Sequence, residues 1–155
     1  MRRSIEDVLG WLYAHQQTPP ASDPFTGAWT HSWQAHEGLD YDAATDVRGG
    51  SPWMSANIVG GLWHAWLVTG DERIPTMLRD FGRYLEQHGF ASDAEAGDWL
   101  SGCNAGGTIG WYFSSAVSPR SRVVAIQDDQ GYGSDAHNPE LLMAVAAARH
   151  FEADP

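Results

Sequence analysis

The side chains best suited to chemistry fall in two stretches that lack sustained hydrophobic periodicity. Trp33, His36, Tyr41 and Arg48 lie in the first, and Trp99, Asn104, Trp111, Asp128, Asp135 and His137 in the second. Aromatic faces joined to carboxylate, amide and guanidinium groups suit a sugar, whose axial C–H faces stack on Trp or Tyr while its hydroxyls need paired polar partners. Glycosidic hydrolysis takes two carboxylates whose environments push their pKa values apart. Asp40, Asp42, Asp128, Asp129 and Asp135 are candidate sources, and no spacing singles out a pair. Elimination on a uronic acid instead takes a Tyr or His base for the proton next to the carboxylate, with Arg or Asn to stabilise the anion. His36, Tyr41, Arg48, Asn104 and His137 supply those types. The expected catalytic residues are therefore His36, Tyr41, Asp135 and His137, and the expected substrate-binding residues are Trp33, Arg48, Trp99, Asn104, Trp111 and Asp128. The competing reading of each is an ordinary surface-loop residue, with the loop tryptophans pinning the loops down.

Other chemistries find less support. His31-x4-His36 and Asp135-x-His137 match no zinc spacing, and Gly131 does not complete a calcium loop after Asp128-Asp129-Gln130. The glycines from Gly102 to Gly107 come without a P-loop Lys or a GxGxxG pattern, so no metal, nucleotide or other cofactor is expected. Cys103 is the single cysteine, which rules out an intrachain disulfide and reads as a small buried thiol. Nine basic residues, all Arg, stand against 20 acidic ones for a formal net charge of -11. That balance leaves no basic stripe for phosphates or anionic lipid, so neither nucleic acid nor a membrane surface is an expected partner. No apolar run approaches the roughly 18 to 20 residues of a membrane span. Met1-Arg2-Arg3-Ser4 has the basic opening of a signal peptide, but Glu6, Asp7 and His15 interrupt what would be its apolar region. A cytoplasmic location is the default expectation.

Four amphipathic or apolar segments must hold these stretches in place. Ser4 with Asp7 approximates a capping box, and Ile5, Val8, Leu9, Leu12 and Tyr13 recur at helical spacing, predicting a first helix from about Ile5 to Gln17. Thr18-Pro19-Pro20 ends it. Ser51-Pro52 opens a second helix with Ile58, Leu62, Trp66 and Leu67 on one stripe, stopped by Thr69-Gly70-Asp71. A third runs from Glu72 or Arg73 to His88 on Ile74, Leu78, Phe81, Tyr84 and Leu85, with Gly89 as its cap. The short link between the second and third predicts an antiparallel hairpin. Asn138-Pro139-Glu140 opens a fourth helix over Leu141 to Phe151, which lines up with the second as a faint internal repeat. Ile109 to Ser114 and Arg122 to Gln127 read as short strands of one small β-hairpin. In such an antiparallel succession alternate connections emerge at the same end, so both long loops are expected on one rim, with Arg48 and His137 at helix entrances.

Two segments carry a resemblance. Ser51-Pro52-Trp53-Met54 through Gly70-Asp71-Glu72-Arg73, with the amphipathic run to His88-Gly89-Phe90, resembles one hairpin of the α/α-toroid carbohydrate enzymes, the six-hairpin glycosidases and toroid polysaccharide lyases. Asp135-Ala136-His137-Asn138-Pro139-Glu140-Leu141-Leu142 resembles the start of the next. At about 40 residues per two-helix unit, six hairpins take roughly 240 residues. The 155-residue chain is thus expected to be a mainly all-α single domain of antiparallel helical hairpins, an arc of a toroid or a fragment of one. The resemblance implies a glycoside hydrolase or polysaccharide lyase-like protein acting on or binding an oligo- or polysaccharide. The alternative is a non-catalytic glycan-binding or protein-interaction module. Self-association through open helical edges is a further expectation, since an arc leaves apolar flanks uncovered.

Overall fold

A computed structural model of the chain describes residues 2–18, 27–32, 48–91, 109–110 and 138–152. Most of them are helical: α1 (Arg2–Gln17), α2 (Pro52–Thr69), α3 (Arg73–Tyr84) and α4 (Asn138–Glu152). Short strands β1 (Thr30–Ser32) and β2 (Arg48–Gly50) pair antiparallel, as do β3 (Phe90–Ala91) and β4 (Ile109–Gly110). Of the expected strand Ile109 to Ser114 the described part, Ile109–Gly110, is extended and pairs with the segment that precedes it after α3, while residues 111–114 and 122–127 lie outside the described residues.

The helix boundaries follow from local chemistry. Pro52 starts α2 because its missing N–H costs nothing in a first turn and its fixed φ suits the helix. Gly70 ends it at φ 64°, a left-handed conformation that only glycine adopts without strain, and its N–H donates to the Trp66 carbonyl at 2.8 Å. The third helix runs as far as expected but not in one register: after Tyr84 the chain widens into a π-helical turn, Leu85–Gly89. Leu85 is fully buried there, and a Cβ at Gly89 would come within 2.6 Å of its Cδ2, so a larger residue at 89 would displace the Leu85 side chain.

Contacts fix the directions of the helices. Gly10 lies beside Arg73, and Gln16 and Gln17 bond Met77 and Asp80, so α1 and α3 run the same way. Gly60 sits beside Met143, and Trp63 and Trp66 pack on Phe151 further along, so α2 and α4 also run together. The Gly70-Asp71 turn reverses one pair against the other. The helices therefore alternate in direction along the chain, with α1 and α3 in one layer and α2 and α4 in the second. Small residues set the spacing between layers: a Cβ on Gly82 of α3 would collide with the Ala148 side chain of α4.

The core between the layers holds Leu9, Val59, Leu62, Met77, Phe81 and Leu141 at its centre, all nearly inaccessible to solvent. The whole expected stripe of α3, Ile74 to Leu85, is buried. Leu62 faces inward as expected, and Trp66 is partly buried against the ring of Phe151, 4.9 Å between centroids, whereas Leu67, expected on the same stripe, is 61% exposed. The first helix departs from its pattern at Val8, which is 56% exposed. Val8 borders an open apolar groove between α1 and α2, where the two helices stand apart instead of closing on one another.

Candidate functional site

The alternation gathers one end of every helix, the carboxyl ends of α1 and α3 and the amino ends of α2 and α4, and with them the stems of both long connections. The stem of the first is β1 paired with β2, Thr30 opposite Gly50 and Ser32 opposite Arg48. Tyr84, at the end of α3, donates its hydroxyl to the Gly50 carbonyl at 3.2 Å and so ties that stem to the next helix but one. This approach needs glycine, because a Cβ at position 50 would lie 2.7 Å from the Tyr84 hydroxyl and 2.8 Å from Ala28 Cβ. The stem of the second begins immediately beyond the π-helical turn that follows α3, Phe90 opposite Gly110.

Buried polar groups hold the first stem from below. Gln16 is fully buried and its Nε2 donates to two carbonyls, Gly27 at 2.7 Å and Met77 at 2.9 Å, using both amide hydrogens. Trp29 donates its indole N–H to the Leu12 carbonyl at 3.0 Å and lays its ring 5.5 Å from that of Phe81. His15 Nε2 lies 2.9 Å from the Thr30 carbonyl, a hydrogen bond that fixes the tautomer with the proton on Nε2. Gly27, at φ 100°, lets the backbone cross α3 where a Cβ would strike the Asp80 carbonyl. Sequence reading passed over Gln16 and Trp29 entirely. A single Trp ahead of a Thr-His-Ser strand was the available signal for the second, and a glutamine at the end of an amphipathic helix gives none.

Of the ten expected site residues, Arg48 is placed by its backbone, as the first residue of β2 and four residues before α2. Trp33, His36, Tyr41, Trp99, Asn104, Trp111, Asp128, Asp135 and His137 lie outside the described residues. Glu140, read from the sequence only as a helix opener, stands in the first turn of α4 at the same end, where a carboxylate is favoured by the helix dipole. Its Oε2 is buried without a hydrogen-bond partner. An acidic group so situated joins the candidates for acid–base work at this rim.

The opposite end is built for structure. Asp71 accepts from the Arg73 backbone N–H at 3.0 Å and from its guanidinium at 2.9 and 2.5 Å, while its own N–H donates to Thr69 Oγ1 at 3.2 Å. The guanidinium hydrogen bond holds the Asp71 carboxyl below its ordinary 3.8, against the opposing effect of burial, and raises Arg73 in turn. This bidentate pair closes the turn between α2 and α3.

Grooves between the helices are the concave features of the described surface. An apolar one of about 510 Å³ runs between α1 and α2, floored by Leu9, Ile58 and Leu62. A second, about 330 Å³, lies between α2 and α4, where His150 meets Trp63 edge-on at 5.3 Å. Among the described residues no three His, Cys, Asp or Glu side chains stand close enough together to hold a metal ion, and no helix is long and apolar enough to cross a membrane. Comparison of the chain with protein-family models, with curated proteins and with solved structures finds no match.

Proposed function

We propose that the chain is a carbohydrate-active protein, glycoside hydrolase or polysaccharide lyase-like, that engages an oligo- or polysaccharide at the end of the helices where its two long loops begin. The observation that carries this reading is the alternation of the four helices, which brings both loop stems to a single end. Parallel neighbours within each layer, α1 beside α3 and α2 beside α4, also agree with an arc of an α/α toroid. The residues of the two loops fit a sugar in type: Trp33, Trp99 and Trp111 for stacking, Asn104 and Asp128 for hydroxyls, and His36, Tyr41, Asp135 and His137 for proton transfer. Arg48, at the foot of α2, would clamp a uronate carboxylate bidentately, helped by the partial positive charge of the helix amino ends. A formal charge of -11 weighs against anionic ligands at long range, so neutral glycans belong in the same trial.

The test is calorimetric titration with neutral and uronate-containing oligosaccharides, joined to turnover assays by reducing ends and by absorbance of an unsaturated uronide. Binding should weaken at least tenfold in Arg48→Ala and His137→Ala with the melting temperature unchanged. Loss of binding only together with a lower melting temperature, or no binding to any glycan, would contradict the assignment.

A further inference from the structure

The two loop stems meet at one side chain. Thr30 and Gly50, opposite one another in the first stem, are held from both sides: His15 of α1 bonds the Thr30 carbonyl at 2.9 Å, and Tyr84 of α3 bonds the Gly50 carbonyl at 3.2 Å. Tyr84 is only 1% exposed, and backbone packs flush against it at two glycines. A Cβ at Gly50 would lie 2.7 Å from its hydroxyl, and one at Gly27, on the chain leading into β1, 3.1 Å from its Cβ. The same residue is the last of α3. The π-helical turn follows it at once, with the His88 ring 6.0 Å from that of Tyr84, and Gly89 at the end of the turn is joined directly to Phe90 of the second stem. On its other side the Tyr84 ring stacks on Phe81, 5.9 Å away and 15° from parallel.

We propose that Tyr84 couples the two stems into one opening unit, so that loosening the base of the first loop loosens the base of the second. Energetic coupling is carried by packed side chains, hydrogen bonds and rigid elements in contact. Here the path is a hydrogen bond from Gly50, a buried ring, and the turn on which Phe90 stands. The chain itself offers no comparable route, since from β2 it passes through Ser51 into α2 and reaches Phe90 only after the whole of α2 and α3. π-Helical geometry is rare and survives as single turns, so the segment bearing the second stem relies on what packs around it, the Tyr84 ring included. The coupling is a property of the stems and is the same for any ligand the loops take.

Amide hydrogen exchange of the full chain, read by NMR, tests it through a cycle of His15→Ala and Tyr84→Phe. His15→Ala frees the Thr30 carbonyl from the α1 side and leaves Tyr84 and its partner atom unaltered. With Tyr84 present, it should speed exchange of the protected amides in 48–50 and also, about fivefold, of those in 90–91 and 109–110. In the Tyr84→Phe background, which keeps the ring and removes the hydroxyl, His15→Ala should speed exchange in 48–50 alone. A second measurement needs no change at His15: in urea below the unfolding transition the two stems should share one opening free energy, and Tyr84→Phe should split it. A second stem indifferent to His15→Ala when Tyr84 is present would overturn the proposal. So would an equal response in the Tyr84→Phe background, or acceleration spread uniformly to the amides of α2, which would mean global destabilisation instead of coupled stems.

Discussion

Gln16 is the side chain on which the base of the first loop depends, since its two amide hydrogens serve carbonyls from segments 11 and 61 residues away. Gln16→Leu strips the Gly27 carbonyl of its side-chain donor and the Met77 carbonyl of the bond it accepts beside its helical one, so urea denaturation should show a loss of about 1–3 kcal/mol. Asp71 acts at the other end. Because its folded pKa lies below the ordinary 3.8, the unfolded chain binds the proton first on acidification. Its contribution is complete above the unfolded value and disappears as pH falls through the folded one. Asp71→Asn should therefore flatten stability against pH on the acid side of about pH 5 while changing its slope little near neutrality. Asp71→Ala, which also gives up the bond to the Arg73 N–H, should cost about 0.5–2 kcal/mol at neutral pH. Neither role was legible in the sequence beyond the Gly70-Asp71 stop signal. Helix periodicity reports which face is apolar, not which backbone carbonyl a buried amide will reach.

At the scale of elements the sequence was more informative where one physical signal dominated. Pro52 and Gly70 delimit α2, and the stripe from Ile74 to Leu85 delimits α3, because proline, glycine and 3.6-residue periodicity act locally. Leu62→Ala should cost about 2–5 kcal/mol, as expected of a side chain 2% exposed. A loss within about 0.5 kcal/mol would put Leu62 on the surface. What periodicity did not carry was helix spacing. Gly82 carries no periodic signal of its own, and its contact with Ala148 depends on a segment some 65 positions later in the chain. Gly82→Val should destabilise by about 1–3 kcal/mol through overpacking, with part of the loss recovered by Ala148→Gly in a double-mutant cycle. The π-helical turn at Leu85–Gly89 was likewise out of reach, since 3.6-residue periodicity does not mark a local widening of the helix.

At the scale of the molecule, the mainly helical character of the described residues was legible and so was the gathering of the loop stems, because successive antiparallel helices put alternate connections at one end. The candidate site was legible only as residue types within two stretches. Nine of its ten expected residues lie outside the described ones, and side-chain positions in long non-periodic segments depend on contacts that no local pattern encodes. Arg48 could be placed because β2 ends at Gly50, one residue ahead of α2. The central claim, that a glycan is engaged at the end carrying the loop stems, is tested most directly by backbone amide chemical-shift mapping during titration with neutral and uronate oligosaccharides. Shifts should concentrate in residues 48–55, 84–91 and 138–141, leaving the turn at 69–74 unmoved. Shifts centred on 69–74, or none with any oligosaccharide, would contradict it.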